Sequence, residues 1–305
     1  MNKDIFLGNI KDEKAKDKSP NCFLGAWYHK VFSSRDKWLG IEGTITLPKV
    51  TIKRFKEHKN LDTPSIYMGG MAKYESDVGL SFMCGYIIEN GERIISPNGI
   101  VFRPFWRYIT DGETDTGAYD FQNERFYSAS NLTPNKSVSN CYAHYSPEFT
   151  EFYYLPGDKI RIQVFYPKQD YMQLKITVIE KSKFKESIEM RKINKWKDPI
   201  DFESPVFSSP EDNITNQKSF KRVNAIDQSG NEGKPTINTK TKVEDADWES
   251  VYLYRNIENK VVKVPFNNQR GSMMNCPDIN GFSYTEIDDK TGGSKLSILP
   301  ERVFE

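Results

Sequence analysis

The sequence predicts an all-β protein, an antiparallel β-sandwich, and three observations carry that expectation. Short runs rich in β-branched and aromatic residues alternate between two faces. Turn signals separate these runs, and almost no sustained helical periodicity lies between them.

In chain order, CFLGAWYHKVFSS (22–34) and KWLGIEGTITLPKV (37–50) are predicted as two strands. They join as a first hairpin across Ser33-Ser34-Arg35-Asp36, and Pro48 ends the second. PSIYMGGM (64–71), DVGLSFMCGYII (77–88) and GIVFRPFWRYI (99–109) follow, with ENGER (89–93) read as a hairpin turn around Asn-Gly. Along the third of these runs, Phe102, Pro104, Trp106 and Tyr108 share one face, while Arg103, Phe105 and Arg107 share the other. The stretch 110–150 is polar and turn-rich, long enough to form an excursion over a sheet edge or a groove mouth. DKIRIQVFY (158–166) and YMQLKITVIE (171–180) alternate cleanly as strands. KSKFKESIEMRKINKWKDPI (181–200) is the best helix candidate, but Ile188, Ile193 and Trp196 also fit a strand with a basic loop, which is the reading preferred. Two polar stretches, 204–217 and 229–242, read as connections, and DDKTGGSK (288–295) as a hairpin turn between FSYTEI and LSIL.

Composition narrows the function classes. The 305 residues, 37% of them hydrophobic, suffice for one large sandwich over 21–305 behind a flexible, Lys- and Asp-rich arm at 1–20. Forty-three basic against 42 acidic residues leave a net charge of +1, so no global field draws nucleic acid or an anionic membrane. No apolar run approaches the ~18–20 residues of a membrane span, and the N-terminal segment is no classical export signal. The expectation is a soluble protein, cytoplasmic or released or assembled by a non-classical route. Cys22, Cys84, Cys141 and Cys276 lie far apart and are expected as buried free thiols.

Candidate site residues are sparse. Asp111, Glu113 and Asp115 alternate in DGETDTGAYD, where their oxygens could converge on calcium, although the run departs from an EF-hand loop; no other cofactor is expected. Arg103 and Arg107 can grip carboxylates or hydroxyl-bearing ligands in bidentate fashion. Asp77 alternates with Gly79 and Ser81, so a carboxylate projects beside small residues that leave room for a ligand. The aromatic share of 13% suits sandwich cores and also ligand grooves.

The order of motifs resembles that of the glutamic peptidases, the eqolisins, whose fold is a concanavalin-like sandwich (jelly roll) of two large antiparallel sheets. GTITLPK (43–49) is similar to the family's GTFTVP strand, SIYMGGM (65–71) to SIWVGID, SDVGLSF (76–82) to LQTGVDF, and PGDKIRIQVFY (156–166) to AGDEIRVTV. SFKRVNAID (219–227) falls where the family has WIVED, so the resemblance runs in order over residues 22–299. It implies that the family's catalytic Gln falls on Asp77, its strand Trp on Tyr67, and its catalytic Glu near Asn224, where that acid is missing. In an enzyme, Asp77 would then serve as base and Asn224 as oxyanion donor. The expectation adopted is a non-catalytic sandwich that binds a glycan or a protein surface through its concave face, using Tyr67, Asp77, Arg103 and Arg107. A peptidase-like or polysaccharide-cleaving hydrolase is one alternative, with Asp77 or Glu75 as its acid. Self-assembly as a coat or crystalline component is the other.

Overall fold

The computed structural model describes residues 4–304 except 54–61, 73–74, 84–85, 90–91, 96–100, 111–113, 116–117, 121–124, 128–146, 168, 205, 210–214 and 229–230. Within 83–95, 107–127, 147–149 and 207–208 the described residues are known by their backbone alone.

The strands are β1 (Ala26–Ser33), β2 (Trp38–Thr46), β3 (Lys49–Thr51), β4 (Asp62–Met71), β5 (Glu75–Met83), β6 (Tyr86–Glu89), β7 (Glu92–Ile95), β8 (Val101–Thr110), β9 (Thr114–Asp115), β10 (Ala118–Asp120) and β11 (Arg125–Tyr127). After a 3-10 turn at Pro147–Phe152 come β12 (Lys159–Phe165), β13 (Tyr171–Glu180), β14 (Phe202–Glu203), β15 (Phe207–Ser208), β16 (Ser219–Gln228), β17 (Lys242–Ile257), β18 (Lys260–Pro265), β19 (Gly271–Cys276), β20 (Phe282–Tyr284) and β21 (Ser294–Ile298). One sheet runs β19-β1-β16-β4-β5-β8-β9, and the other runs β14-β13-β12-β2-β17-β21-β20 with β3, β15 and β18 added beside it. Every pairing within these sheets is antiparallel, and they pack face to face as a sandwich.

Alternation puts the apolar side chains between the layers. Ile160, Ile162 and Val164 of β12 and Met172, Leu174 and Ile176 of β13 meet Ile66, Met68, Val78, Leu80, Phe82, Phe102 and Trp106 from the other sheet. Trp248 fits between the layers because Gly43 on β2 has no side chain: a Cβ there would lie 2.6 Å from both the Trp248 ring and Met68 Cε. Phe102 and Trp106 point inward while Arg103 and Phe105 share the opposite face, as the alternation of that run predicts.

Several expectations are corrected. β1 and β2 form no hairpin, because β1 pairs β16 and β19 in one sheet whereas β2 pairs β12 and β17 in the other. The Ser33–Lys37 stretch is a corner between layers, held by reciprocal backbone bonds between Asp36 and Lys218 and by the Asp36 carboxylate against Arg255 Nη1 at 2.8 Å. Lys185–Asn194 is an α-helix rather than a strand, ending at Lys195 in the left-handed conformation. Its polar side attaches it, through Ser187 Oγ to the Pro156 carbonyl and Arg191 to Asp158, while Ile188 and Ile193 are exposed. The hairpins around 89–92 and 284–294 form as expected.

Cys22 and Cys276 are not free thiols but a disulfide joining positions 254 residues apart. Cys84 and Cys141 lie outside the described residues.

The segment expected to be a flexible arm follows the edge formed by β17, β18 and β19. Phe6 N–H donates to the Lys263 carbonyl, Lys263 N–H donates to that of Asp4, and Ser272 Oγ donates to that of Asp17. Phe6 and Ile10 pack on the core. The reason is charge: Arg255 and Arg270 are buried, and Asp12 and Glu13 supply carboxylates at 3.0 and 2.8 Å. Arg255 also holds Asp36, whereas among the described residues Glu13 is the one carboxylate ion-paired with Arg270. Glu13→Ala is therefore expected to cost ~1–3 kcal/mol by leaving a buried cation unmatched, and Asp12→Ala less than about 1 kcal/mol, both read from urea unfolding.

Candidate functional site

The candidate site lies on the outer face of the seven-stranded sheet. β16 runs through that sheet between β1 and β4, and its alternation decides which chemistry each face receives. Phe220, Arg222, Asn224 and Ile226 point toward the other sheet, while Lys221, Val223 and Ala225 point outward beside Tyr28, Tyr67, Met274 and Cys276.

Lys221 is paired with Gly69 on β4, and across Gly69 lies β5 with Glu75 and Asp77. A Cβ at Gly69 would fall 1.7 Å from the Ser76 carbonyl oxygen and 3.2 Å from Lys221 Cε. The absent side chain is what lets β5 close in and lets the lysine stem cross the strand. The Lys221 ammonium then donates to both the Asp77 and the Glu75 carboxylates, and Lys30 Nζ stands 3.4 Å from Glu75. The Lys221 amine also lies 5.3 Å from the centre of the Tyr67 ring, which meets Phe105 edge-on at 5.9 Å.

Electrostatics follow from this packing. Burial by itself depresses the Lys221 amine, but Asp77 and Glu75 outweigh it and the pKa is raised. Lys221 is the main reason that Glu75 is lowered. Lys30 is lowered, first by burial and then by the neighbouring Lys221 charge.

Beside the cluster lies a recess of about 250 Å³. Lys18, Lys30, Arg35 and Lys221 line it together with one carboxylate residue, Asp17, and with Gly69 and Gly70.

The sequence-predicted residues divide by face. Tyr67, Asp77 and Arg103 share the outer face; Arg103 is nearly buried, its guanidinium 4.7 Å from the Tyr153 ring centre. Arg107 is paired with Asp77 by backbone register, and its side chain lies outside the described residues. Asn224 does not join Asp77. Its side chain turns into the sandwich, where Oδ1 accepts from Trp248 Nε1 at 2.8 Å, so the base and amide expected to cooperate are on opposite faces of the sheet. Asp111 and Glu113 lie outside the described residues, as does the Asp115 side chain; the Asp115 backbone pairs with Ile109. Among the described residues, no group of three or more His, Cys, Asp or Glu side chains is placed to hold a metal ion.

Lys221 and Lys30 escape a search for catalytic signatures, because a lysine in a strand resembles any solvated position. A period-2 reading of SFKRVNAID against the Gly69-Gly70 pair puts an amine outward next to a strand without side chains, and that was the available signal.

No protein-family model and no curated protein matches the chain. Among solved structures it is similar to scytalido-glutamic peptidase with a peptide-based transition-state analogue, at 6% identity and a TM-score of 0.44, and to the same peptidase with a transition-state analogue inhibitor, at 8% and 0.43. It is also similar to SCP-B, a member of the eqolisin family of peptidases, in complex with the tripeptide Ala-Ile-His, at 5% and 0.40. Each likeness covers 90% of this chain and 98% of the other. A likeness this distant assigns no role to any residue here.

Lys221→Met removes the ammonium that the buried Asp77 carboxylate shares with Glu75 and is expected to cost about 3 kcal/mol near neutral pH. In the wild type Glu75 is depressed below its ordinary 4.5, so its share of stability is present above that pH and is lost as pH falls through the folded value. Lys221 is raised above 10.5, so its share is present below that pH and is lost as pH rises through the folded value. Urea unfolding across this range should show the acid-side loss in wild type and its reversal in Lys221→Met, where protonation relieves the buried carboxylate.

Proposed function

We propose that the protein is a non-catalytic binding module whose outer sheet face takes an acidic segment of a partner protein. The observation that carries this reading is the imbalance of the recess, where four cationic residues meet one acidic one. Two further carboxylates, Asp77 and Glu75, are engaged by Lys221, and Glu75 also meets Lys30, so Lys18 and Arg35 are the lining cations without an ion pair to either. A ligand carboxylate would find Lys18, Lys30 and Arg35 in the lining, Lys30 shared with Glu75 and Arg35 with the Ala72 and Gln217 carbonyls. Tyr67 and Phe105, farther along the same face, offer apolar contact with a polar edge.

The hydrolase reading is disfavoured by the same geometry. A general base has to reach a substrate water, but the Asp77 carboxylate is 4% exposed and tied to an ammonium. The amide expected to assist it is buried between the sheets. The Cys22–Cys276 disulfide favours an oxidising compartment over the cytoplasm. No helix among the described residues is long and apolar enough to cross a membrane.

Fluorescence anisotropy with a panel of acidic peptides, beside an array of anionic glycans, tests the proposal. The expected outcome is peptide binding that weakens with salt and falls about tenfold in Lys30→Ala/Arg35→Ala, one to two surface ion pairs' worth. Binding confined to the glycans would move the ligand to another class. Peptide cleavage at any pH in the range of about 3–8 that disappears in Asp77→Asn would replace the binding reading with the enzymatic one.

A further inference from the structure

Between the two sheets lies a second polar cluster that the outer face does not use. Arg222 and Asn224 are neighbours on the inner face of β16, and His29 on β1 is the cross-strand partner of Asn224. All three are almost wholly buried. Three of their contacts are made: Arg222 Nη2 donates to Ser294 Oγ at 2.7 Å, Asn224 Oδ1 accepts from Trp248, and His29 Nδ1 meets Asn275 Oδ1 at 2.7 Å. Four buried nitrogens have no hydrogen-bond partner among the described residues: Arg222 Nε and Nη1, Asn224 Nδ2 and His29 Nε2.

The other buried arginines show what is missing. Arg255 faces Asp12 and Asp36, and Arg270 faces Glu13, whereas no carboxylate among the described residues forms an ion pair with Arg222. Its neighbours are a hydroxyl and the Trp248 ring, 5.6 Å from the guanidinium carbon. A full positive charge in a low-dielectric layer is strongly disfavoured without an opposite charge, and a row of N–H donors with no acceptor repeats the deficit in hydrogen bonds. Burial alone depresses Arg222 to about 9, and burial together with the Arg222 charge depresses His29 to about 4, so near neutral pH the cluster holds one cation and a neutral imidazole.

We propose that Arg222, with the Asn224 amide beside it, forms an internal site for a small monovalent anion of the halide class, seated between the sheets at the Nε–H edge of the guanidinium with Asn224 Nδ2–H as a second donor. A neutral water would satisfy a donor but leave the charge unmatched. A monatomic anion asks for the least room beside the Trp248 ring, whose centre is 5.6 Å from the guanidinium carbon. The site is structural, faces away from the outer recess and does not rest on what that recess binds.

Thermal unfolding in sodium chloride against sodium gluconate at equal ionic strength tests it. The wild type is expected to gain ~2–4 °C in saturating chloride, the shift produced by a ligand at about ten times its Kd. Arg222→Met, an apolar side chain of similar length, is expected to lose that chloride-specific gain. Equal gains in both proteins, or none in the wild type, would overturn the proposal. Crystals of the wild type grown in bromide provide a reading that needs no variant: an anomalous peak beside Arg222 Nε supports the site, and an ordered water or a protein carboxylate there overturns it.

Discussion

A charge buried in a sheet sandwich needs an opposite charge beside it, and much of this architecture follows from that constraint. Arg255 recruits Asp36 from the corner between the layers and Asp12 from the N-terminal segment. Lys263 on β18 pairs with Glu42 on β2, and Glu42 in turn accepts from the Tyr254 hydroxyl and from Gln163 at 2.9 Å. These contacts tie four strands of one sheet together across its face. Asp158, buried at the start of β12, accepts from Leu155 N–H, Ser182 N–H and Arg191, and so fastens the helix to the sheet edge. Burial still outweighs the Arg191 charge and leaves the Asp158 carboxyl raised. That contact therefore positions the helix more than it stabilises the fold.

The same constraint shapes the outer face. Once Lys221 is fixed on a strand whose neighbours are mostly apolar or small, its ammonium has to find carboxylates within reach of its stem, and the glycine at position 69 opens the way to Asp77 and Glu75. An acid that looks reactive in the sequence becomes half of a structural ion pair. What the recess keeps is a cationic side: Lys18 and Arg35 meet no lining carboxylate beyond Asp17, and Arg35 is held in place by the Ala72 and Gln217 carbonyls.

The sheets were legible because a strand buried on one side writes a period of two. KIRIQVF and YMQLKIT alternate residue by residue between buried and half-buried positions, and the hairpin between β20 and β21 sits at its Gly-rich turn. The partners of each strand were not legible, since β1 pairs with β16 and β19 some 190 to 250 positions away and nothing local encodes that choice. The N-terminal segment looked flexible because it is polar, and its attachment depends on arginines far along the chain. The disulfide joins cysteines with no motif spacing. The helix misled because its isoleucines face solvent while a serine and an arginine hold it down. Asp77 was placed on the correct face by its alternation with Val78, but its partner on β16 was assigned one face out.

That last difference shows how much rests on the register of a single strand. Side chains of a strand change face with every residue, so a slip of one position in β16 would bring Asn224 outward toward Asp77 and send Lys221 into the core. Two independent contacts oppose the slip: Trp248 Nε1 on Asn224 and Ser294 on Arg222, each from the opposite sheet. Lys221 on its carboxylates opposes it from the outer side. β16 is also paired along nearly its whole length on both edges, with β1 and with β4. Polar groups in the interior therefore fix which chemistry the exterior presents: the buried arginine and asparagine hold the register that keeps a lysine, rather than an amide, beside Asp77.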